Sequence, residues 1–155
     1  MPDIFSYCSI ENYFTSIYNE LNTKANHRKI ELTREWLSSF PKQKGVYFIY
    51  EKDQLKYVGE TGSIFGRMRD LLNTKNHTLR RSIGERHFIK EIGYKKANSK
   101  KSYNDSIEIL LNDYIKKNFT VSFICLEIGR REFEEWIIDK HQNVEFYNKR
   151  KKRKN

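Results

Sequence analysis

A chain of 155 residues with 30 Lys and Arg against 20 Asp and Glu carries a formal net charge of +10. That length matches one domain with room for a real core, and the charge favours a polyanionic partner, nucleic acid first and an anionic membrane second. Cys8 and Cys125 stand far apart with no second cysteine or histidine at metal-ligand spacing, which argues against both a zinc site and a disulfide framework. No run approaches the roughly 18 apolar residues of a membrane span, and the opening MPDIFSYCSIENYF lacks a basic leader. The expectation is a soluble cytoplasmic protein with no membrane partner.

In chain order, the first 44 residues read as helices. Ile10, Tyr13, Phe14 and Ile17 recur at helical spacing, and Ile30, Leu32, Trp36 and Leu37 do so more loosely. Pro41 then marks a change of period. GVYFIYE and LKYVGE, rich in aromatic and β-branched residues, flank a short polar link and predict a β-hairpin. If its loop holds an odd number of residues, such as Lys52, Asp53 and Gln54, then Tyr47 and Tyr57 share one face of the sheet.

From Ile64 the period is helical, with Ile64, Phe65, Met68, Leu71 and Leu72 on one face. A second helix is predicted over 79–89 and a third over SIEILLNDYIKK, with the basic, polar YKKANSKKSYNDS as the loop between them. FTVSFICLEI predicts a third strand and RREFEEWIIDKH a closing helix. The terminal NKRKKRKN is either a solubilising end or a phosphate-contacting arm.

Four kinds of residue carry chemistry in this layout. Tyr47 and Tyr57 would bring two phenols together. Gly59 and Gly62 bracket a strand-to-helix turn, where glycine allows positive φ or close approach. Arg67 lies beside the apolar stripe of its helix, so it either snorkels to solvent or clamps a phosphate with two hydrogen bonds. On the closing helix, at about 100° per residue, Glu134 falls inside the apolar arc of Phe133, Ile137 and Ile138 while Glu135 faces away. A carboxylate so placed needs a partner, either Arg67 in a buried ion pair or a bound cation.

GVY at 45–47, YVG at 57–59, Arg67 eight residues after Gly59, the glutamate of a Glu-x-x-Ile-Ile helix and the late Tyr147-Asn148 together resemble the GIY-YIG nuclease superfamily over about residues 44 to 148. The fold expected is α/β, with a small, mainly antiparallel three-stranded sheet flanked by helices. An N-terminal helical extension (1–44) packs on the same domain, the nuclease domain covers 45–148 and a basic tail covers 149–155. The resemblance implies that Tyr47 is the general base or water-orienting group with Tyr57 beside it, and that Arg67 holds the scissile phosphate. It makes Glu134 the sole carboxylate ligand of Mg²⁺ (or Mn²⁺), Asn148 a brace, and Gly45 and Gly59 structural.

Members often carry a histidine or tyrosine four residues after the arginine, where this chain has Leu71. His77 either reaches the site in its place or simply opens a helix. Arg69, Arg80, Arg81, Lys149 and Arg150 join Arg67 as expected nucleic-acid contacts. The activity implied is metal-dependent DNA endonuclease, restriction-type for a chain of this size. The alternatives are a non-catalytic nucleic-acid-binding module on the same fold and an RNA-directed nuclease.

Overall fold

Gly45–Glu51 (β2) is buried along its whole length, because it lies between two partner strands and under a layer of helices on each face. A computed structural model, describing residues 7–148, places it in a four-stranded antiparallel sheet of order β1-β4-β2-β3. The other strands are β1 (Arg28–Lys29), β3 (Gln54–Thr61) and β4 (Phe119–Cys125). Among the described residues six α-helices surround them: α1 (Tyr7–Asn22), α2 (Arg34–Ser38), α3 (Ile64–Asp70), α4 (Thr78–Phe88), α5 (Asp105–Asn118) and α6 (Arg130–Lys140). None of the described helices is long and apolar enough to cross a membrane.

The sheet corrects the expected three strands to four, and every ladder is antiparallel. The added strand comes from the region read as helical: Arg28 faces Val121 and Lys29 faces Thr120. Leu32 takes a positive φ of 58°, which breaks any helix there, and only Arg34–Ser38 closes into one, capped by the Thr33 hydroxyl accepting from the Trp36 N–H.

The hairpin also differs from expectation. Its turn holds two residues, Lys52 and Asp53, both at positive φ (49° and 64°), so Glu51 faces Gln54 and Tyr50 faces Leu55. Continued unchanged, that register would set Tyr57 opposite Phe48, on the wrong face. A shift between Ile49 and Tyr50 leaves Lys56 as an extra residue, after which Ile49 faces Tyr57 and Tyr47 faces Gly59. Tyr47 and Tyr57 do share a face, through a bulge rather than an odd loop.

Alternation along β2 then builds two cores. Val46, Phe48 and Tyr50, with Val58 of β3, meet Phe14, Ile17 and Leu21 of α1 and Phe133 and Ile137 of α6. Burial of side chains of this size contributes roughly 1.5–3 kcal/mol each, so α1 is part of the domain's core. Tyr47, Ile49 and Tyr57 face the other way, onto Ile64 and Met68 of α3, Leu79 and Ile83 of α4, and Ile107, Leu111 and Ile115 of α5. The free edge of β3 is closed by the chain's return: Tyr147 N–H donates to Lys56 O, and the Asn148 amide accepts from Val58 N–H at 3.1 Å and donates to Val58 O at 2.7 Å.

Candidate active site

Tyr47 lies flat against β3 at Gly59. A Cβ added there would stand 2.2 Å from Tyr47 Cζ, so Gly59 serves the close approach of a ring. Gly45 is held in the same manner, its missing Cβ falling 2.4 Å from Ile124 O. Gly62 has neither a positive φ nor an atom within 4 Å of an added Cβ, so neither role expected of it is filled within the chain. The Tyr47 and Tyr57 rings stack at 6.0 Å and 23°.

Arg67 reaches this pair from α3. The Ser63 hydroxyl accepts from Gly66 N–H at 3.1 Å and starts the helix, and Ile64 and Met68 turn into the core. Arg67 is thereby left on the border, with about a quarter of its side chain exposed. Its Nε donates to the Tyr47 hydroxyl at 3.1 Å, and its Nη1 donates to Asp70 Oδ2 at 3.3 Å and Asn76 O at 3.4 Å. Asp70 is a site residue that sequence reasoning missed, although its spacing of three residues on a helix was a usable signal.

His77 opens a helix and also lies against Tyr47. Its Nδ1 accepts from Leu79 N–H at 3.1 Å, which caps α4, while Nε2 lies 3.4 Å from the Tyr47 hydroxyl. Burial first, and then the charges of Arg67, Arg80 and Arg81, hold its pKa well below the usual histidine range. The ring is therefore neutral, and with Nδ1 accepting, the proton sits on Nε2 and is donated to Tyr47. No nitrogen is left to take up another proton. Leu71, four residues after Arg67, is a core residue.

Tyr47 has no exposed surface, and its pKa is pushed far up, by burial first and then by Tyr57, against the pull of Arg67. It holds Arg67 well and is placed poorly to deprotonate water.

Glu134 projects from α6, on the other side of the sheet, and half-buried there. Burial first, and then the charge of Glu60, push its pKa up to about 7, opposed by a hydrogen bond from the Glu60 backbone. Glu135 is exposed, as the helical phase predicts. The alternative Glu134–Arg67 ion pair does not form, since Arg67 pairs with Asp70. Glu60, missed from sequence, follows Gly59 on β3 and faces the α6 layer, where its carboxylate lies 3.4 Å from Arg130 Nε. The two carboxylates suit Mg²⁺, which takes one or two and keeps several waters. Among the described residues no group of three or more His, Cys, Asp or Glu could hold a metal ion, so a fuller protein cage of the zinc kind is not built there.

The basic residues divide. Arg69 is exposed. Arg81, partly exposed, donates to Thr74 O at 3.0 Å and Lys75 O at 2.9 Å. Arg80 is a correction: only 1% of it is exposed, and it donates to Glu108 Oε2 at 2.7 Å, Asn112 Oδ1 at 2.8 Å, Leu71 O at 3.0 Å and Thr74 Oγ1 at 3.1 Å. A guanidinium so occupied has no edge to offer a phosphate. Lys149 and Arg150 lie outside the described residues.

Fold and site together define an α/β protein with a buried tyrosine–arginine–histidine cluster on one face of its sheet and a carboxylate pair on the other. No family model, no curated protein and no solved structure matches the chain.

Proposed function

We propose that the chain is a cytoplasmic, metal-dependent endonuclease of the GIY-YIG type that hydrolyses phosphodiester bonds in DNA. The observation that carries this reading is the Arg67 guanidinium, fixed by Tyr47 at the rim of a phenol pair yet still partly open to solvent. A cation held this way meets a phosphate at little reorganisation cost, which is where charge stabilisation in phosphoryl chemistry is most effective.

The roles follow from burial. Tyr47, sealed from solvent and gripped by Arg67 and His77, positions the arginine. Tyr57, marginally open at 6% exposure, is the phenol left to orient the attacking water. Glu134, with Glu60 beside it, would hold Mg²⁺ or Mn²⁺ on the α6 face of the sheet, opposite Arg67, and an ion there would supply Lewis-acid stabilisation and a water of lowered pKa to a phosphate that spans the edge of β3. Asn148 keeps the edge of β3 in place between the two halves.

The test compares Glu134→Gln with Glu135→Gln on plasmid DNA in Mg²⁺ and in EDTA. The parent chain and the Glu135 variant should cut only with Mg²⁺, while the Glu134 variant should bind DNA and not cut. An inactive Glu135 variant with an active Glu134 variant would overturn the site. The rival reading, a nucleic-acid-binding module without turnover, draws on the full burial of Tyr47 and the apolar Leu71. Duplex binding without cleavage in Mg²⁺ or Mn²⁺ would establish it, and cleavage of RNA alone would redirect the enzyme to RNA.

A further inference from the structure

Between Glu91 and Asp105 the chain has no acidic residue and four lysines, Lys95, Lys96, Lys100 and Lys101, all exposed. A lysine run that only solubilises needs no fixed shape, and fixing one costs about 1–2 kcal/mol per residue in backbone entropy. This loop is nevertheless built. At its base, Asn104 Nδ2 donates to Gly93 O at 2.6 Å and the Tyr94 and Tyr103 rings lie 5.4 Å apart. At its tip, the Asn98 carboxamide accepts from Lys100 N–H at 2.8 Å and Lys101 N–H at 2.9 Å, while Asn98 N–H donates to Lys101 O. Between them Ala97 is buried in the core.

The loop is also joined to the Arg67 site. The Tyr103 ring rests on Gly84, where an added Cβ would come within 2.4 Å of it, and its hydroxyl donates to Arg81 O at 2.7 Å. Glu108 accepts from Tyr103 N–H with one oxygen and from Arg80 with the other. Arg81 in turn holds the Thr74 and Lys75 carbonyls, and the next residue, Asn76, accepts from Arg67. Arg80, unable to touch a phosphate itself, is the buried pin between the two segments that can.

We infer that the 93–104 loop is a phosphate-contacting surface for duplex DNA, continuous with the Arg67 site, in which Lys95, Lys96, Lys100 and Lys101 hold the sugar-phosphate backbone beside the scissile bond. The inference rests on the DNA reading above. Its competitor is an anionic membrane, for which the fully exposed Ile92 at the loop's entrance offers one apolar contact; the continuity with Arg67 favours DNA.

The full chain is titrated with a short DNA duplex in EDTA over a range of KCl, beside a variant with Lys95, Lys96, Lys100 and Lys101 all changed to Gln. A control variant carries Lys24, Lys29, Lys52 and Lys117 changed to Gln, the same change in net charge spread over other exposed positions. The loop variant should lose about 0.9 in the slope of log K against log salt per contact removed, up to about 3.6, and the control less than about 1. Equal losses in both variants, or none in the loop variant, would overturn the inference while leaving DNA binding intact. If the parent chain does not bind the duplex at all, the DNA reading falls and takes the loop with it. Binding to phosphatidylcholine–phosphatidylserine vesicles that depends on these lysines, with duplex affinity unmoved, would assign the loop to membranes instead.

Discussion

Arg80, on the α3–α5 face of the sheet, and Glu134, on the α1–α6 face, are both charges withdrawn from water, and their surroundings differ in kind. Arg80 meets an opposite charge, an amide, a hydroxyl and a carbonyl. Glu51, also buried, is satisfied in the same way, accepting from Tyr114 at 2.9 Å and from Tyr147 at 3.0 Å. Across the sheet the core is aromatic, with Phe133 touching Phe14, Phe48 and Trp136, and Phe14 touching Trp136, and Glu134 has a second carboxylate for a neighbour. A satisfied buried charge is part of the architecture, whereas one left against a like charge is available to a ligand.

The largest expected effect breaks the satisfied side. Arg80→Met removes a hub joining α4 to the 71–74 turn and α5, and should cost about 3–5 kcal/mol, as loss of one partner of a buried pair commonly does. Arg67→Met, at the partly open site, should cost about 1 kcal/mol while abolishing cleavage. Urea denaturation of both variants checks this, and an Arg80 variant within 1 kcal/mol of the parent would erase the distinction between the two arginines.

The next effect is on the strained side and depends on pH. Glu134's pKa of about 7 lies above the 4.5 of an unshielded glutamate, so between those values the folded chain binds more protons than the unfolded one. Its contribution makes stability fall as pH rises from about 4.5 to about 7 and level off above that. Glu134→Gln should remove this slope and gain of order 1–2 kcal/mol near pH 8, the figure allowing for the residue's partial exposure. Mg²⁺ near pH 8 should stabilise the parent and leave the variant unmoved. A parent-minus-variant difference that stays flat with pH would put the Glu134 charge in solvent.

The smallest effect separates the two functions of His77. His77→Asn keeps a good helix cap and loses the reach to Tyr47, whereas His77→Ala loses both, so the alanine variant should be less stable by about 1 kcal/mol. Cleavage should fall about tenfold in each through misplacement of Tyr47 and Arg67, with the shape of the pH–rate profile kept, since the neutral ring has no accepting nitrogen. Loss of a limb of that profile would make His77 a proton carrier.

Much of this molecule was legible in its sequence. Helical spacing located α3, α4, α5 and α6 to within a residue or two and found the apolar face of α1 without its ends, aromatic and β-branched runs located β2, β3 and β4, and the helical phase separated Glu134 from Glu135. All of these depend on periodicity within one segment, where neighbours three or four residues apart decide which face is apolar. Tertiary structure alone decided the rest. Two residues, Arg28 and Lys29, are too few to carry an alternation, and they become a strand because β4 leaves an edge to pair with. The bulge at Lys56 is set by the two-residue turn and by the need to bury Tyr57 on the Tyr47 side. Arg80 reads like its neighbour Arg81 until Glu108, 28 residues away, meets it in the core. Glu60 is an ordinary strand glutamate until Glu134 of α6 is packed beside it. Whether a charge is exposed, paired or opposed depends on distant groups that only the folded chain brings within a few ångströms.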